Sequence, residues 1–68
     1  MLPETVVGKV GYVTMPIKGS RPGEISVSIR GGTETFMAYT NDPSHLEKNV
    51  QVLVIGQRSA RTVDVTRF

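Results

Sequence analysis

Residues 24–40, EISVSIRGGTETFMAYT, hold two runs rich in β-branched and aromatic residues on either side of Gly31-Gly32. A two-residue glycine link supplies the positive φ angles of a tight primed turn, so the stretch predicts a β-hairpin. With Arg30 opposite Thr33, Val27 faces Phe36 and Ile25 faces Ala38. Ser28 then faces Thr35, Ser26 faces Met37 and Glu24 faces Tyr39. The apolar pairs fall on one face and the mostly polar pairs on the other, and a slip of one residue would mix them. Only Ile29 opposite Glu34 breaks the pattern, beside the turn. The hairpin is therefore expected to bury one face, which the rest of the chain must cover.

The whole chain has 68 residues, enough for one domain (1–68) with a small core. A chain of this size buries only about 60% of its unfolded surface. With no cysteine and a single histidine, His45, a disulfide framework and a thiolate zinc site are both excluded. Closing a small barrel, which leaves few sheet edges, is another route to stability. Eight Lys and Arg against six Asp and Glu leave a net charge of +2. That excess is compatible with weak attraction to phosphate and does not argue for it. The longest apolar run, Val52 to Ile55, falls far short of the ~20 residues of a membrane-spanning helix. Met1-Leu2-Pro3-Glu4 lacks the basic flank and apolar stretch of a signal peptide. The chain is expected to be soluble as it stands, whether whole or cut from a longer one.

Outward from the hairpin, Val6 to Met15 (VVGKVGYVTM) reads as a first strand interrupted by Gly8 and Gly11. Glycines inside a strand mark bulges or close backbone approach. One bent strand that pairs at both ends is preferred over two short kinked ones, because a small closed barrel requires it. Pro16 to Gly23 is a loop carrying Lys18 and Arg21. Asn41 to Asn49 (NDPSHLEKN) is the single candidate helix. Asp42 is its cap, Pro43 its first position, Leu46 its inward residue and Asn49 its left-handed exit. Val50 to Gly56 (VQVLVIG) is the most apolar strand, Gln57 to Arg61 a polar, basic loop, and Thr62 to Phe68 (TVDVTRF) an alternating closing strand. The expected core is Val10, Val13, Ile25, Val27, Phe36, Ala38, Val50, Val52, Val54, Val63 and Val65. The order β-β-β-short helical turn-β-β fits an all-β fold, a small five-stranded OB-like barrel. An SH3-like barrel is the competitor, but it carries its helical turn later in the chain.

The catalytic inventory is poor. No Cys/His pair exists, no serine lies in a G-x-S-x-G setting, and the acidic residues are too scattered for a metal. No catalytic residue, metal ligand or cofactor is assigned. Binding is the better reading. OB barrels that hold single strands stack bases on exposed aromatics beside basic residues. The candidate binding surface here is Lys9, Tyr12, Arg30, Met37 and Tyr39, a thin platform whose tyrosines also suit closure of the barrel ends. Met37, Tyr39, Leu53 and Ile55 together suggest an apolar patch outside the barrel, the kind that marks a protein contact.

Gly8-Lys9-Val10-Gly11-Tyr12-Val13, Pro16, Gly23-Glu24-Ile25, Arg30 to Ala38 (RGGTETFMA) and Val50-Gln51-Val52-Leu53-Val54 resemble the C-terminal soluble domain of NfeD-like proteins. That family's pattern runs from a G-x-x-G strand, through a G-x-(apolar) strand and an alanine, to a V-x-V strand. The resemblance extends from about Val7 to Val65. It departs from the pattern at Asn49, where glycine is usual, and in the longer, more basic loop from Gly56 to Arg61. The resemblance implies an OB-like barrel displayed at a membrane, at its periphery or cytoplasmic side, through segments absent from this chain. It implies membrane-scaffold partners of the stomatin and flotillin type, and it brings no catalytic residue. Long members add a serine-protease domain, which nothing here matches. The expected function is a non-catalytic protein-interaction module; the alternative is a single-stranded nucleic-acid-binding domain.

Overall fold

The computed structural model describes residues 6–29, 31–43 and 45–68. Five strands, β1 (Val10–Met15), β2 (Gly23–Ile29), β3 (Gly32–Thr40), β4 (Gln51–Ser59) and β5 (Thr62–Arg67), form a closed barrel in the order β1-β2-β3-β5-β4. β3 and β5 run parallel over Met37–Thr40 and Thr62–Val65, and every other pairing is antiparallel. This is the expected five-stranded OB-like barrel.

The central hairpin forms in a register two residues from the expected one. Ile25 pairs with Phe36, Gly23 with Ala38 and Ile29 with Gly32, where the ladder ends. Side chains alternate with a period of two, so alternation is blind to a two-residue shift and every residue keeps its face. The turn decides the register: Gly31 takes a φ of 79°, and Gly32 joins the strand. The inner set Ile25, Val27, Phe36 and Ala38 is buried as expected.

The first strand is shorter than expected. Residues 6–9 form a turn in which the Lys9 amide donates to Val6 O at 3.1 Å, and β1 starts at Val10. It still closes the barrel, pairing with β2 on one edge and β4 on the other. Gly11 lets β1 lie close on β2, because a Cβ there would stand 2.7 Å from Ser26 O. A bulge between Val13 and Met15 bends the strand. Gly11 and Val13 face inward, so Val10 shares the outer face with Tyr12 and is only partly buried, contrary to its assignment to the core; Val50 is likewise part-buried.

Among the described residues, 41–50 contain no helix. The Asp42 amide donates to Thr40 Oγ1 at 3.1 Å. Leu46 and Ile17, from two different loops, form an antiparallel bridge with both N–H···O bonds at 3.0 Å. Both side chains are completely buried and plug one end of the barrel. Asn49 takes the left-handed conformation expected of it, with φ 76°. The core is Val6, Val13, Ile17, Ile25, Val27, Phe36, Ala38, Leu46, Val52, Val54, Val63 and Val65.

β4 runs through the stretch read as a loop and reaches Ser59, where a turn at Ala60-Arg61 leads into β5. This end of the hairpin projects past the core and stays exposed, so its polarity does not interrupt the ladder. Ile55 and Arg58 have no partner on β5: each is the extra residue of a bulge.

Candidate binding surface

The structure distributes the expected surface over separate places. Tyr12 lies on β1 between Ser26 of β2 and Gln51 of β4, and it is 53% exposed. Met37 and Tyr39 lie on the outer face of β3. Met37 stands between Glu24 and Thr62, and Tyr39 stands beside Asp64. β2 and more than one register step separate Tyr12 from this pair. Lys9 sits in the turn before β1, where its carbonyl accepts from the Val54 amide at 2.9 Å. Arg30 lies outside the described residues.

The Tyr39 ring is covered. Arg58 holds its guanidinium carbon 4.2 Å from the ring centroid, a stacking cation–π geometry. The same guanidinium is fixed by Asp64: Nε donates to Oδ1 at 2.9 Å, and Nη2 reaches the same oxygen at 2.9 Å. The hydrogen bond to Asp64 raises the Arg58 pKa further above its ordinary range. The register explains the trio. Tyr39, Asp64 and Gly56 form one row across β3, β5 and β4, and the bulge at Arg58 turns its side chain back over that row. Sequence reading missed Arg58 because a bulge leaves no mark in a polar stretch; the outward position of Asp64 was legible from the alternation of β5.

The expected patch of Met37, Tyr39, Leu53 and Ile55 is divided. The outward residues of β5, Thr62, Asp64 and Thr66, run between its two halves. A different apolar face takes its place across β1, β4 and the end of β5. Phe68 continues β5, its amide donating to Gln51 O at 3.1 Å, and its side chain is 66% exposed. Tyr12 and Phe68 therefore flank Gln51 from opposite sides, about 10 Å apart at two strand spacings. Val10 and Leu53 pair in the next outer row, and the bulge leaves Ile55 53% exposed beyond them. Exposed apolar side chains gathered on neighbouring strands in this way are the usual mark of a contact surface.

Among the described residues there is no group of three or more metal-ligating side chains, no buried polar or charged side chain, and no helix long and apolar enough to cross a membrane. His45 is exposed, and its carbonyl accepts from Arg67 Nη2 at 3.2 Å.

Two solved structures share the fold. The soluble domain of the NfeD protein YuaF from Bacillus subtilis superposes with a TM-score of 0.76 at 24% identity, over 91% of this chain and 73% of that one. The C-terminal domain of stomatin operon partner protein 1510-C from Pyrococcus horikoshii gives 0.70 at 27% identity, over 93% and 88%. No curated protein sequence matches the chain significantly. The sequence pattern of the NfeD C-terminal domain matches residues 10–66, which takes in all five strands except Arg67 at the end of β5, and the chain belongs to that family.

Proposed function

We propose that this chain is a non-catalytic protein-interaction module whose partner is a stomatin-type protein at the membrane periphery, reached through segments outside this chain. The observation that carries the reading is the outer face built from Tyr12, Leu53, Ile55 and Phe68, three of them more than half exposed. A small closed barrel has no reason of its own to expose these side chains side by side. The partner class rests on the similarity to a protein described as a stomatin operon partner. A single-stranded nucleic-acid role draws on the barrel fold, but Tyr39 is occupied by Arg58 and Tyr12 stands apart from it.

The test is calorimetry of the chain with the soluble part of a stomatin-type protein from the same organism, at low and moderate salt. The expected result is saturable binding that weakens only modestly with salt, with a negative heat-capacity change, lost in Leu53→Ser/Ile55→Ser. No binding, or binding that the double variant retains, overturns the reading.

A further inference from the structure

The loop between β1 and β2 folds back on itself as a small hairpin. Lys18 and Arg21 pair across it, with the Arg21 amide donating to Lys18 O at 2.8 Å and the Lys18 amide to Arg21 O at 3.3 Å. Directly paired residues present their side chains to the same side, so two cations stand together, an arrangement that costs stability. Arg58, Arg61 and Arg67 each have a carboxylate, Asp64, Glu34 and Asp42 respectively, whereas among the described residues neither Lys18 nor Arg21 forms an ion pair. Both are exposed.

The pair borders an open cleft of about 230 Å³, lined also by Met15, Pro16, Pro22 and Gly23. That is smaller than the ~300 Å³ at which small-molecule sites begin, and it suits one or two side chains of a larger partner. Met15, Pro16 and Pro22 give its wall apolar side chains, and Met15, 54% exposed, lies on the outer side of β1 like Tyr12, past the bulge. The outer side of β1 thus carries Tyr12 and Met15, and the cleft beside Met15 is bordered by two cations that form no ion pair among the described residues.

We propose that Lys18 and Arg21 anchor a carboxylate of an extended segment of a protein partner, whose neighbouring apolar side chains lie on Met15 and Tyr12. The inference rests on the interaction-module reading and adds the partner's chemistry: an acidic residue, or a chain terminus, beside apolar residues. Charge complementarity selects this occupant, since a second copy of the chain, itself carrying +2, brings no excess of carboxylate.

The test is selection of short random peptides displayed on phage against the full chain. The expected clones combine Asp or Glu with Ile, Leu, Val or Phe, and their affinity falls at least about tenfold for Lys18→Ser/Arg21→Ser while the double variant melts no lower than the wild type. Clones no more acidic than the library, or clones that the double variant keeps, overturn the inference. Apolar clones lost only in Leu53→Ser/Ile55→Ser overturn it while leaving the interaction module in place. If no clone is enriched and an oligothymidine probe binds through Lys18 and Arg21, the inference gives way to phosphate recognition. If neither binds, it fails, and the stomatin titration decides the module separately.

Discussion

Leu46 and Ile17 meet in an antiparallel bridge that joins two loops, each amide donating to the other's carbonyl at 3.0 Å and each side chain fully buried. Two segments without regular structure of their own thus become the plug of one barrel end. Truncating a buried leucine removes its transfer free energy and leaves a cavity, so Leu46→Ala is expected to cost about 2–5 kcal/mol. At ~4–8 °C per kcal/mol for a domain of this size, thermal denaturation followed by circular dichroism should fall by tens of degrees or lose its cooperativity. A melt close to wild type would show that the plug is dispensable.

Gly11 is held by proximity. A methyl group there would stand 2.7 Å from Ser26 O and 2.9 Å from Val27 Cγ2. Neither neighbour yields easily: one is ladder backbone and the other a buried side chain. Gly11→Ala is expected to destabilise by roughly 1–3 kcal/mol, as overpacking does. Chemical denaturation measures this; an unchanged midpoint would mean that β1 does not lie so close on β2.

The fold was legible wherever alternation and turn chemistry act together. Val63 and Val65, Val52 and Val54, and the inner hairpin residues all follow from period two. The hairpin register slipped by two because alternation carries no information at that spacing. The segment 41–49 has helix-capping chemistry at Asp42 and Pro43, but its one large apolar residue, Leu46, gains more by bridging to Ile17 than a single helical turn supplies. Val6 and Ile17 lie in turns and loops, where no periodicity marks a core residue. Of the binding surface, Tyr12 was legible as an outward aromatic. Its neighbours Phe68, Leu53 and Ile55 depend on which strands adjoin β1, and that is set by barrel closure.

Arg58 covers one face of the Tyr39 ring. In Arg58→Ala the ring loses its cover, and quenching of tyrosine fluorescence by acrylamide should rise, while stability falls only slightly because the ion pair is exposed. Asp64→Asn should move quenching the same way to a smaller extent, since it loosens the guanidinium without removing it. Equal quenching in all three proteins would mean that the stacking does not persist in solution.

The outer face contributes little to folding. Ile55, 53% exposed at a bulge, is expected to tolerate Ile55→Ser with a change within about 0.5 kcal/mol by chemical denaturation. A loss of several kcal/mol would mean that the face is packed in the isolated chain and is not open to a partner.

The most direct measurement is an amide-shift titration of the labelled chain, first with the soluble part of a stomatin-type protein and then with mixed-sequence single-stranded DNA, each at low and moderate salt. The interaction module predicts shifts at Tyr12, Leu53, Ile55 and Phe68 with the protein that weaken only modestly as salt rises, and none with the DNA. DNA-induced shifts at Lys9, Tyr12 and Tyr39 that weaken steeply as salt rises, with no response to the protein, would contradict it.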